Sequence, residues 1–254
     1  MNLWVLSRRA RPSRRVAMAF AVVAGVCALG ILLSPLAAEA QGRRGAPATG
    51  RYVAGSGQSF TLDTSGSRPL LRFERSTEIW VLRPTPAPRG DIIYRNDNGD
   101  QILRVTPDGG MTLFTTTAPQ GSPVSRAGDA DALTRAALTG TQLVQYFMRQ
   151  SFRASQALGR LMVIDVDIQP GSETVAADAV STTVDAIVRM ARSSNLRAET
   201  NKVRRILVTD QGGASQATLS RGTLRIVINP RAGVAGRPSS ARIVRVVADE
   251  ALSR

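Results

Sequence analysis

The stretch DIIYRNDNGDQILRVTPDGGMTLF, residues 91–114, decides the fold of the first half of the chain. It holds three short apolar runs divided by Asn98-Gly99 and Asp108-Gly109. Both dipeptides tolerate the positive φ that a tight hairpin turn needs, so strands are expected near 91–95, 101–106 and 111–116. Working outward, similar runs predict strands near 59–63, 69–74 and 78–83. Short strands at regular spacing imply an antiparallel sheet, folded as a meander, a sandwich or a partial barrel. Glu78-Ile79-Trp80-Val81-Leu82-Arg83 carries apolar groups on both faces, the pattern of a central strand, which puts Trp80 at the centre of this core. Pro84 to Pro88 holds three prolines in five residues and reads as an extended connector or an edge.

Downstream the period changes. Residues 119–128 are rich in Pro, Gly and Ser and read as a linker closing a β region of 59–118. From 129 to 254 the pattern predicts a layered α/β region. Apolar positions from Leu133 through Phe147 and Phe152 to Leu158 predict one long amphipathic helix, capped by Asp129 or Asp131. Then come a strand at 161–168, a helix at 176–192, strands at 203–209, 216–220 and 224–228, and a last helix capped by Ser239 or Ser240. The fold class is α+β: an antiparallel β region followed by an α/β region with a mixed sheet.

The first forty residues read as a signal peptide. Arg8, Arg9, Arg11, Arg14 and Arg15 precede an apolar run from Val16 to about Leu33, and Ala38-Glu39-Ala40 supplies the small residues a signal peptidase reads. The mature chain then starts at Gln41, opens on a flexible Gly/Ala/Arg-rich lead-in over 41–58, and works in the periplasm or outside the cell. No transmembrane helix is expected after cleavage. Cys27, the single cysteine, lies inside the apolar run, where Val26 makes a poor lipidation motif.

Composition excludes much chemistry. The chain has no histidine, and with Cys27 removed it has no thiol. That rules out Ser-His-Asp triads, Cys-His pairs and thiolate or imidazole metal sites; no cofactor and no metal site is expected. The net charge is +14, nearly all of it from arginine, since Lys202 is the only lysine. Export removes nucleic acid as a partner, so an anionic lipid, a glycan or an envelope protein is expected instead.

Three carboxylate or lysine arrangements remain. Asp165 and Asp167 alternate on one strand, so both project from the same face and could share acid–base work. Lys202 sits in a charged lead into a strand, where a serine–lysine dyad is a poor reading. Asn96-Asp97-Asn98-Gly99-Asp100 has the oxygen-rich spacing of a calcium loop without its distal glutamate, and a hairpin turn explains it. The best binding candidate is 229–240. Ser239 and Ser240 open a helix whose free N–H groups attract an anion, with Arg231, Arg237 and Arg242 around it.

Trp80-Val81-Leu82-Arg83-Pro84, Ala87-Pro88-Arg89-Gly90-Asp91-Ile92-Ile93-Tyr94 and Ala235-Gly236-Arg237-Pro238-Ser239-Ser240 resemble an uncharacterised family of exported alphaproteobacterial proteins, catalogued as a domain of unknown function. The resemblance implies a compartment and a length, and no catalytic residue. Taken together, the expectation is a non-catalytic envelope protein that binds an anionic ligand or a protein. The alternative is a carboxylate-based hydrolase acting on a glycan, and a small barrel acting as an inhibitor is a third reading by fold analogy.

Overall fold

The two strongest turn signals both close hairpins. Gly99 and Gly109 take φ of 88° each, and the amides of Asn96 and Thr106 reach the carbonyls of Asp100 and Gly110 at 3.1 and 2.9 Å. The structure, a computed structural model, describes residues 46–135, 138 and 140–249. The expected signal segment, Cys27 and the first part of the expected lead-in lie outside the described residues.

Nine strands form one antiparallel sheet: β1 (Gly50–Ala54), β2 (Ser59–Asp63), β3 (Leu70–Phe73), β4 (Trp80–Val81), β5 (Arg83–Pro86), β6 (Ile92–Arg95), β7 (Gln101–Val105), β8 (Met111–Thr115) and β9 (Ala118–Gly128). Their spatial order is β4-β3-β2-β1-β9-β8-β7-β6-β5. The two edge strands are consecutive in the chain, with Leu82 alone between them. One residue spans under ~4 Å, so the sheet must curl until its edges meet, and the result is a nearly closed barrel. The run 80–86 closes it, its first part paired with β3 and its second with β6, and the Leu82 amide between them donates to the Pro69 carbonyl at 2.8 Å. Phe60, Leu62, Leu71, Leu82, Leu103 and Leu113 fill the interior, all fully buried.

Three expectations fail here, each for a physical reason. Residues 78–83 are the meeting point of two edges, and they do not form a central strand. Ile79 and Leu82 are buried while Trp80 is half-buried, resting edge-on against Phe73 at 6.2 Å. Residues 50–54 of the lead-in form β1, in which Tyr52 and Ala54 turn inward. Residues 119–128 are no linker, because β9 pairs with both β1 and β8. Gly121 takes φ of 90°, and a Cβ there would stand 2.6 Å from the Thr112 side chain. The glycine that reads as linker composition is what lets β9 lie close over β8.

The second half builds a four-stranded mixed sheet from β10 (Val163–Asp167), β11 (Arg205–Thr209), β12 (Gln216–Ser220) and β13 (Thr223–Val227), in the order β10-β11-β13-β12. β10, β11 and β13 run parallel, and β12 is antiparallel to β13. Ile206, Val208, Leu224 and Ile226 alternate onto the face covered by helices α1 (Gly140–Leu158), α2 (Glu173–Arg192) and α3 (Ser240–Ala248). α1 begins at Gly140, later than the pattern from Leu133 suggested; Leu133 is buried in the approach instead, its amide bonded to the Asp63 carboxylate at 2.8 Å. Each sheet thus has its own apolar core, while residues 45–254 cluster as one compact unit.

Candidate functional site

The segment singled out for anion binding does bind carboxylates, but they are the protein's own. Ser239 caps α3, its hydroxyl accepting from the Arg242 amide at 3.2 Å. The Ser240 amide and hydroxyl both donate to Glu78, at 2.8 and 2.6 Å. The Ser239 amide donates to Asp97 at 2.8 Å, and Arg242 donates to the Asp97 carbonyl at 3.0 Å. The partial positive charge at this helix start is therefore met by two side chains from the barrel. The same contacts settle the calcium-like loop: the Asn96 side-chain oxygen accepts the Asn98 and Asp100 amides, and Asp97 turns toward α3.

Arg237 extends this latch inward. It is buried, donates to the Ile79 carbonyl at 2.9 Å, and pairs with Asp178 of α2 at 2.8 Å and more loosely with Glu78 at 3.6 Å. Asp178 also holds Arg135 at 2.5 Å. Burial pulls the Arg135 guanidinium below its ordinary range, Asp178 opposes that, and the neighbouring Arg237 adds to it. Two arginines and two acids thus balance at the junction of barrel and α/β region, the condition under which buried charge is tolerated. Arg231 is the exception in the expected site: it is exposed and lines a separate groove of about 400 Å³ with Arg68, Leu70 and Val81.

Asp165 and Asp167 do share the open face of the mixed sheet, as their alternation required. There Asp165 pairs with Arg205 at 2.7 Å, and Asp167 accepts from Gln211 at 3.0 Å. Neither lines any of the clefts described. Lys202 pairs with Glu199 at 2.5 Å. Among the described residues no group of three or more His, Cys, Asp or Glu is placed to hold a metal ion.

A larger space lies elsewhere, an open cleft of about 760 Å³ between the outer barrel face and the helices. One wall is set by strand register. Arg51 faces Thr61 on β2, and Thr61 faces Arg72 on β3, so two guanidinium groups stand on strands about 10 Å apart with a hydroxyl between them. Glu74 lies at the margin. The other wall is Arg135 and Leu138 from the approach to α1, Tyr146 on α1, and Thr174, Ala177 and Asp178 from the first turns of α2. Arg51 and Arg72 are exposed and have no ion-pair partner among the described residues. Sequence reasoning missed them because β1 lay in a stretch that read as lead-in, and without β1 the Arg51–Thr61–Arg72 row does not exist.

Comparison with known proteins gives one match: the model of a family described as a domain of unknown function (DUF4908) matches residues 32–247, through both the barrel and the α/β region. No curated protein and no solved structure matches.

Proposed function

The chain belongs to the DUF4908 family, and from that premise we propose an exported, non-catalytic protein that binds an anionic ligand in the cleft between its barrel and its helices. One observation carries the reading: the Arg51–Thr61–Arg72 row faces a broad cleft, and neither cation has an ion-pair partner among the described residues. Guanidinium groups suit bidentate capture of carboxylate or phosphate. The serine and threonine hydroxyls around them, with Tyr146 opposite, suit a hydroxylated anion such as an acidic sugar.

Binding is better supported than hydrolysis. A carboxylate-based glycosidase needs two free acids flanking one bond, and here Asp178 is held by two arginines. The carboxyls with displaced pKa values are Asp63, Asp108 and Asp210, and all three are held below their ordinary range. A raised carboxyl is what general acid catalysis would call for.

Export rests on the arginine-led apolar run and Ala38-Glu39-Ala40. No helix among the described residues is long and apolar enough to cross a membrane. Mass spectrometry of the protein recovered from a bacterial envelope should find Gln41 at the N-terminus; a retained apolar run refutes cleavage. Titration with a uronic-acid oligosaccharide by calorimetry tests the cleft. Arg51→Ala with Arg72→Ala should weaken binding at least tenfold, and the wild-type affinity should fall as salt rises. Absence of wild-type binding at low salt, or binding that ignores both substitutions, overturns the site.

A further inference from the structure

We infer that one face of α1 seats the protein on an anionic lipid surface, a role beyond the cleft and independent of it. The large apolar side chains exposed among the described residues include Val144 at 60%, Met148 at 69%, Phe152 at 63% and Leu161 at 76%, with Val163 at 44%. The first three lie on α1, Leu161 lies in the approach to β10, and Val163 lies on the open face of that strand. Val144, Met148 and Phe152 recur every fourth residue, so they cover an arc of only about 80° on the helix. Leu143, Phe147, Ala154 and Leu158 already fill the arc that faces the core.

Two serines tie the approach to β10 to the same helix. The Ser151 hydroxyl donates to the Met162 carbonyl at 2.6 Å, and the Met162 amide donates to Ser155 at 2.8 Å. On the far side the stripe is bordered by Gln145, Gln156, Arg149 and Arg153, in the order helical geometry dictates. Tyr146, which lines the cleft, lies about 160° away from Met148 around the helix.

Charge selects the occupant. α1 carries no acidic residue. Arg149 is exposed without an ion-pair partner among the described residues, and Arg153 is half exposed beside Asp185. Asp165 and Asp167 project from the face of β10 opposite to Ile164 and Val166, which pack toward the helices. The charge that α1 itself places beside the stripe is positive, with Arg149 unpaired among the described residues. A protein partner would be expected to anchor in pockets, whereas this is a convex stripe on one helix with a basic border, the geometry of an interfacial helix.

The test uses the chain from Gln41, which holds no cysteine, with Met148→Cys, the new thiol carrying an environment-sensitive fluorophore. Met148 is largely exposed, so the fold should survive. Vesicles of mixed phosphatidylglycerol and phosphatidylcholine should shift the emission to the blue; phosphatidylcholine alone should do so much less, and high salt should reverse the shift. Phe152→Ser should weaken the response at least tenfold, and Arg149→Gln about fivefold. The same fluorophore at Ser220→Cys, on an exposed strand end, should not respond. Four results overturn the proposal: no shift at Met148→Cys, an equal shift on neutral vesicles, an equal shift at Ser220→Cys, or a shift without vesicles that grows with protein concentration. The last would mean that a second copy covers the stripe.

Discussion

The start of α3 and the outer wall of the barrel are both arginine-rich, and they use arginine in opposite ways. At α3, Arg237 is buried and matched by Asp178 and Glu78, and the helix amides are matched by Glu78 and Asp97. At the barrel wall, Arg51 and Arg72 stand in one row with a threonine between them and no ion-pair partner among the described residues, while Asp178 across the cleft is taken by Arg135 and Arg237. A matched cation inside the molecule holds two regions together; an unmatched one on a cleft is free to hold something else. Counting arginines cannot separate the two. The location of the nearest carboxylate does.

The largest effect should come from breaking the matched set. Arg237→Ala leaves Asp178 to Arg135 alone and Glu78 to the Ser240 amide and hydroxyl alone, with one buried positive charge fewer than before, and breaking such a buried pair costs about 3–5 kcal/mol. Chemical denaturation would measure it. A loss below about 1 kcal/mol would mean that water reaches the junction, and the contrast between the two arginine sites would fall.

Second, the barrel that carries the unmatched row depends on its seam. Leu82 is fully buried at the single residue joining the edge strands, and Leu82→Ala should cost about 2–5 kcal/mol. Trp80→Ala should cost less than its ring size suggests, because the ring is only half-buried. If denaturant melts rank Trp80 above Leu82, the core is centred where the sequence pattern put it and the seam matters less.

That reversal shows where sequence reading stops. Turn chemistry is local, so Asn98-Gly99 and Asp108-Gly109 could be read directly, and the strands at 59–63 and 216–220 agree with the structure to the residue. β9 could not be read that way. Pro119, Gly121 and Pro123 are loop residues by propensity, and they form a strand because β1 and β8 lie on either side to pair with it. The anion-attracting start of α3 was legible from Ser239 and Ser240. Its occupant was not, since Glu78 lies 162 residues from Ser240. Local chemistry showed that an anion belongs there, and tertiary pairing decided that it is internal.

A smaller effect tests a second internal contact, the one that positions the cleft. Burial pushes the Asp63 carboxyl up, but hydrogen bonds from the Ser65 hydroxyl and amide and from the Leu133 amide outweigh it and hold the pKa down. Since the folded value lies below the unfolded value of about 3.9, the contact contributes its full stability above that pH. The contribution fades as pH falls through the folded pKa. Thermal melts between pH 5 and pH 2 should show a steeper loss for wild type than for Asp63→Asn. Parallel curves would remove Asp63 as the tie between β2 and the approach to α1.

The smallest effect on stability is the most informative one for function. Arg51→Ala with Arg72→Ala removes two exposed cations that hold no acid, so without ligand the fold should change by no more than about 0.5 kcal/mol. Relieving their mutual repulsion could even raise stability slightly. With ligand present the difference should appear: at tenfold the wild-type Kd, wild type gains about 1.4 kcal/mol by mass action, and a double variant weakened tenfold or more gains about 0.4 kcal/mol or less. Melts with and without the oligosaccharide measure both terms on one pair of proteins. A large loss without ligand would mean the row is matched after all, by a partner that neither register nor ion-pair geometry reveals, and the two arginine sites would then be alike.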